Sequence, residues 1–268
     1  MTADLLQRPA LGRTGRQRVA RRTRTLAWLG GIAFGLVALL VAAALVGDAA
    51  AATDLAARRQ PPSLAHPFGT DWLGRDLLAR TLVGLRLSLA VGAVAAAASA
   101  VIALLLGALA GSLGRATDRV VGWLVDLFLA LPHLVLLVLV AFAAGRGVRG
   151  VIVAVALTHW PSLTRLLRGE ARRVARADYV TVAGALGHGG WHVTRHHLLR
   201  HLLPQFLVGM VLLFPHAVLH EAALSFLGLG LSPHQPAIGI LLSDAMRELS
   251  AGGWWLALLP GLALLAVV

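Results

Sequence analysis

The sequence predicts an all-α membrane protein with about six transmembrane helices and one long basic loop, and three observations lead there. Of its 268 residues 58% are apolar and only 13% are charged, too few charges to clothe a water-soluble domain of this size. Those charges are gathered into short stretches separated by long runs of Ala, Val and Leu. Several of the runs approach the roughly 20 residues needed to cross a bilayer.

The first element is the basic segment 1–25, which carries Arg8, Arg13, Arg16, Arg18, Arg21, Arg22 and Arg24, followed by an apolar run over 26–46. Positive charge ahead of the first span predicts a cytoplasmic N-terminus. A secretory signal would share this layout, but the run exceeds the roughly 7 to 15 residues of a signal core, and more spans follow. Residues 47–84 are too polar to span and hold Arg58, Arg59, Pro61 and Pro62, then the string His66-Pro67-Phe68-Gly69-Thr70-Asp71-Trp72-Leu73-Gly74-Arg75-Asp76. This reads as an ordered outer loop.

A core domain is expected over 85–268. Its first span, Leu85 to Gly111, is rich in Ala and Gly, so neighbouring helices can approach closely. After a turn from Ser112 to Arg119 comes a span from Val120 to Ala143, carrying Asp126 and a kink at Pro132. Asp126 is expected to pair with Arg119 or Arg165 rather than to touch a substrate. The next span, from Val151 to about Leu167, contains His159, Trp160 and Pro161 and passes into the basic loop 168–204. A span from Gln205 to Leu227 is interrupted by Pro215, and a last one starts near Trp254. About 15 residues from there reach only roughly 22 Å, short of the 30 Å core. Either that span is short or a C-terminal piece is missing.

All 24 basic residues are Arg, giving a formal net charge of +12. A nucleic-acid binder is set aside because these arginines flank apolar segments instead of covering one face of a soluble fold. Sixteen fall on the N-terminus, the Ser112 turn and the Arg165–Arg200 region, and seven on the opposite segments, so the basic loop is placed in the cytoplasm. With no cysteine there are no disulfides or thiolate metal sites. With no lysine the usual phosphate-binding loop of an ATPase is absent, and no nucleophile is paired with a base. The chain is read as a non-enzyme.

The basic loop contains Arg168-Gly169-Glu170, then Asp178-Tyr179-Val180, then Ala183 and Gly187. It reads as two short helices joined at a glycine: good helix formers precede Gly187, and Trp191, Leu198 and Leu202 recur at helical spacing. Together with the His66–Asp76 string, Arg80, Trp160-Pro161 and the segment Glu221-Ala222-Ala223-Leu224-Ser225-Phe226-Leu227-Gly228-Leu229-Gly230, this resembles the permeases of oligopeptide, dipeptide and nickel importers of the ATP-binding-cassette type. The likeness runs from about His66 to Gly261 and is nearer to the second of the two paired permeases in those systems.

That resemblance implies a bacterial inner-membrane, multi-pass permease subunit. It works with a second permease as a heterodimer, two ATP-binding subunits, an extracytoplasmic substrate-binding protein and membrane lipid, and involves no nucleic acid. It implies ATPase-coupling residues Asp178, Tyr179, Ala183, Gly187, His196 and His197, with Ala183 and Gly187 on one helical face for close backbone approach. The cargo is a peptide or a nickel or other metal chelate. Two departures stand out: Arg200 where the family commonly has Pro, with Pro204 a turn later, and Ile238 where it commonly has Trp before Gly239. The second departure, with Trp254-Trp255, leans toward the metal-chelate importers. The rival class is a secondary transporter or channel working without an ATPase, which usually has repeated halves; none is evident.

Two groups of ionisable residues remain. Glu221 with Ser225 either lines the translocation path or makes a structural contact at the helix end. The loop histidines His188, His192, His196, His197 and His201 fall on shared faces through four-residue spacings, but no carboxylate or thiolate sits beside them. They are read as a basic surface, with no metal and no cofactor assigned.

Overall fold

The computed structural model describes residues 11–232 and 235–268, with side chains from residue 23 onward except at 184 and 191. Arg8 and the rest of segment 1–10 lie outside the described residues. The helices in order are α1 (Leu11–Leu45), α2 (Gly47–Ala51), α3 (Leu77–Ser112), α4 (Arg115–Ala130), α5 (His133–Ala144), α6 (Val148–Ala175), α7 (Asp178–Ala185), α8 (Gly190–Val193), α9 (Leu199–Phe226), α10 (Ile238–Glu248) and α11 (Trp255–Val267). A π turn, Thr194–Leu198, joins α8 to α9. Among the described residues there is no strand, only an isolated bridge between Thr70 and Asp76. The all-α reading holds.

Four stretches are long and apolar enough to cross a membrane: Thr23–Leu45, Leu77–Ser112, Val148–Ala175 and Thr194–Phe226. The pair α4 and α5 makes a fifth only as a broken span, bent by 98°. The break falls where Leu131 is extended and Pro132 caps α5, since proline cannot continue the ladder of the preceding helix. The kink expected at Pro132 is thus a full change of direction. The 13-residue α11 is a shorter apolar helix, so among the described residues four or five spans are evident by length.

Helix ends differ from the hydropathy boundaries for physical reasons. α3 starts at Leu77, eight residues before the expected 85, because the Asp76 carboxylate accepts from Ala79 N at 2.8 Å and caps the first turn. α6 continues past Leu167 to Ala175, and its arginines are held along the way: Arg168 makes a bidentate pair with Asp118 of α4. On the far side the helix resumes before Pro204, which sits inside α9. The stretch 168–204 is therefore mostly helical, and its breaks are confined to 176–177 and 186–189.

α3 is the central rod, and small residues let its neighbours close in. A Cβ on Gly107 would lie 2.8 Å from Leu167 Cβ, one on Gly111 2.7 Å from Ala171 Cβ, and one on Gly92 2.5 Å from Val218 Cγ2. The first two seat α6 and the third seats α9, the close approach expected of an Ala/Gly-rich span. Around these contacts Ala100, Ala103, Val125, Trp160, Leu163, Leu167, Leu198 and Leu202 pack as one apolar cluster. Ala95, Leu137, Val151, Val155, Ala217 and Leu224 belong to another.

Candidate coupling loop and translocation path

The two ends of α3 lie beside the two loop regions singled out in the sequence. At 1.5 Å per residue its 36 residues span about 54 Å, so the loop before Leu77 and the loop near Ser112 lie at opposite ends of the bundle. Near Ser112 lies the start of α8, where a Cβ on Gly190 would be 4.0 Å from the Ser112 carbonyl oxygen.

The loop before α3 is tightly built. Asp71 accepts from Leu73 N at 2.8 Å, from Arg75 N at 2.9 Å and from Arg75 Nε at 2.7 Å, and it also pairs with the buried guanidinium of Arg80. His66 Nδ1 lies 2.8 Å from Asp76 Oδ2, and Arg59 reaches Glu248 at 2.7 Å. Gly74 has φ +75 and packs so closely that a Cβ would meet the Asp54 carbonyl oxygen at 1.7 Å. Asp244 of α10 faces the same cluster, and burial holds its carboxyl above the usual range despite Arg80, Arg247 and Arg75. The string from His66 to Asp76 is thus an ordered loop, as its turn residues suggested.

At the other end, α6 stops at Ala175, α7 begins at Asp178, and Gly187 closes α7. Gly187 has φ +86, Leu186 N donates to Val182 O at 3.0 Å, and His188 N donates to Ala183 O at 3.1 Å. This is the six-to-one bond of a helix ended by a left-handed glycine. Val180 anchors α7 on the apolar cluster that holds Val174, Leu198 and Leu202. Ala183 is turned inward, 7% exposed, whereas Gly187 is exposed and two residues beyond the helix end. The two therefore do not share a helical face, a correction to the four-residue spacing argument: the helix stops between them.

Tyr179 places its ring 5.6 Å from His197 and 6.0 Å from His201. His192 stacks between His188 and His196, at centroid separations of 4.1 and 4.2 Å. Burial, then the neighbouring His188, His196 and His197, holds the His192 imidazole below its usual pKa. At the end of α6, Gly169, Arg172, Arg173 and Arg176 line an open cleft of about 500 Å³. Arg165 pairs with Asp126 at 2.6 Å, one of the two partners expected.

Glu221 and Ser225 are 0% and 2% exposed. Ser225 Oγ donates to Glu221 Oε1 at 2.7 Å and accepts from Leu231 N at 3.2 Å. Glycines close the corner: a Cβ on Gly230 would be 2.1 Å from Ser225 Oγ, and one on Gly239 2.1 Å from the Ala222 carbonyl oxygen. In this conformation both side chains are enclosed by these contacts. Ser88 Oγ and Glu221 Oε2 are buried in the same corner and interact with each other without reaching strict hydrogen-bond geometry.

Three histidines converge that the sequence presents separately. His133 at the start of α5, His159 of α6 and His220 of α9 each offer a ring nitrogen within 4.8 Å of the others. His133 carries no motif and raised no expectation. The only hint in the sequence was that each of the three is an ionisable residue in an apolar segment.

Residues 103–268 match the family described as the binding-protein-dependent transport system inner membrane component. The chain belongs to this family. The permease is 38% identical over 214 residues, 80% of its length and 72% of the relative's, to the probable D,D-dipeptide transport system permease protein of Escherichia coli (strain K12). It is 31% identical over 260 residues, 96% of its length and 81% of the relative's, to the dipeptide transport system permease protein of Bacillus subtilis (strain 168). To the oligopeptide transport system permease protein of the same organism it is 33% identical over 202 residues, covering 75% and 66% of the two chains. The resemblance to peptide-type permeases of ATP-binding-cassette importers is borne out, and the permease is a multi-pass inner-membrane protein.

Proposed function

We propose that this permease is the second of two paired membrane subunits in an ATP-driven importer, and that peptides are its cargo. Hydrolysis takes place on two separate ATPase subunits, and an extracytoplasmic binding protein delivers the cargo. The N-terminus and the loop containing α7 and α8 face the cytoplasm. The peptide assignment follows the names of the relatives. A metal-chelate cargo such as nickel is the second reading, favoured by Ile238 before Gly239 and by the histidines that meet in the bundle.

The observation that carries the coupling role is the Gly187 turn: an exposed, open element whose parent helix α7 is fixed to the core through Val180. Asp178, Tyr179, Ala183, Gly187, His196 and His197 are its coupling residues. Ala183 acts by seating α7, Gly187 by leaving room for a partner. Tyr179 and His197 brace α7 against the start of the helix that becomes α9. ATPase closure draws this end of the bundle toward its counterpart, and the packed α3–α6–α9 body rocks to switch access between the two sides.

Co-purification with the partner ATPase tests this. Replacing residues 178–189 by a Gly/Ser linker of equal length is expected to leave the chain in the membrane and abolish the complex. An undiminished complex would overturn the coupling assignment.

A further inference from the structure

We propose that His133, His159 and His220 form a binding site within the helix bundle for a single divalent transition-metal ion of the Zn2+, Ni2+ and Co2+ class. The site stands on its own, whether the transported cargo is a peptide or a chelate. The three rings come from three helices that are brought together only by the fold. Their centroids are 4.6, 5.0 and 4.7 Å apart, and each pair is close to perpendicular.

The spacing suits a metal. A tetrahedral ion with metal–nitrogen bonds of about 2.0–2.1 Å places its ligand nitrogens roughly 3.3 Å apart. His159 Nε2 and His220 Nδ1 are already 3.4 Å apart. His133, exposed at the start of α5 beside the Pro132 break, needs only a side-chain adjustment to supply the third nitrogen.

The protonation pattern of His159 suits it as well. Its Nδ1 lies 3.1 Å from the Val155 carbonyl oxygen, which can only accept, so Nδ1 carries the proton. Thr158 Oγ1 lies 3.0 Å from the same nitrogen and donates its own proton to Ala154 O at 2.8 Å. The lone pair of His159 is therefore on Nε2, aimed at the other two rings. An imidazole oriented by a backbone carbonyl on its far nitrogen is the usual arrangement around a metal-ligating histidine. His220 Nδ1 now donates to His216 O at 2.7 Å and would exchange that bond for the ion.

The donor set selects the class of ion. Three imidazoles with no carboxylate in the group exclude the oxygen-seeking Mg2+ and Ca2+, and a chain without cysteine offers no thiolate for softer ions. Three neutral ligands leave a fourth position, open on the exposed side of His133, for water or an anionic group. The loop histidines are more numerous, but His188, His192 and His196 stack face to face, and among the described residues they do not bring three nitrogens together.

The test uses the full chain purified in detergent, with His188, His192, His196, His197 and His201 changed to Gln to remove loop binding. Co2+ titration followed by visible absorption is expected to give one tetrahedral ion per chain, and X-ray absorption to count three imidazoles. Zn2+ and Ni2+ should displace it. His133→Ala, at an exposed position where folding is safe, and His159→Ala should each weaken binding on the order of 100-fold, the scale of losing a supporting group at a metal site or more. Binding that is unchanged in His133→Ala and His159→Ala, or that vanishes with the loop substitutions alone, would overturn the site.

Discussion

Gly187 separates two kinds of damage that are usually confounded. Its φ of +86 is left-handed, and an ordinary L-residue there costs about 1–2 kcal/mol. Yet a Cβ placed on it meets nothing within 4 Å, so enlarging the side chain adds no clash inside this chain. Gly187→Asn, Gly187→Ala and Gly187→Trp should therefore lose similar, small amounts of stability, with asparagine least affected because it tolerates the left-handed region. If a partner docks on the turn, transport should instead follow size: near normal for alanine, reduced for asparagine, and at least tenfold down for tryptophan. The assay is cargo uptake by vesicles holding the assembled importer, read beside permease abundance and thermal melting. Tryptophan with full uptake, or alanine as damaging as tryptophan, would refute the contact and leave only backbone strain.

Asp71→Ala should destabilise the loop before α3 by about 3–5 kcal/mol, because Arg80 is left as a buried charge without its partner; protease sensitivity near Arg59 would report it. Gly239→Ala drives a methyl against the Ala222 carbonyl oxygen 2.1 Å away, so a loss of at least about 1–3 kcal/mol and reduced membrane abundance are expected. The histidine stack should respond to acid. With the pKa of His192 below the ordinary 6.5, its contribution is present above that value and is lost as pH falls through the folded-state pKa. Protection against hydrogen exchange over 186–193, taken relative to the intrinsic exchange rate at each pH, should therefore fall as the pH drops below 6.5, and His192→Gln should flatten the response.

The apolar runs and turn residues made the fold class and the two ordered loops legible, because lipid burial and left-handed glycine leave direct marks in sequence. Gly187 was found as a break for that reason. Helix ends were less legible. Hydropathy puts the end of α6 near Leu167, but arginines are good helix formers, and Asp118 holds Arg168 along the extension. Glu221 and Ser225 could be recognised as important but not assigned a role, since only packing against Gly230 and Gly239 shows that they close a corner. The histidine trio was invisible: His159 and His220 are 61 residues apart in the chain, and only the packing of α5, α6 and α9 brings them together with His133.

α3 joins the ordered loop at one end of the molecule to the neighbourhood of Gly187 at the other without a break, and its glycines lock α6 and α9 against it. Such a rod behaves as a lever arm. Over about 54 Å, a tilt of roughly 10° about one end displaces the other by about 9 Å, comparable with the spacing between packed helices. A modest rotation imposed beside Gly187 thus becomes a helix-width displacement at the far end, which the Asp71–Arg80 loop would carry as a rigid tip.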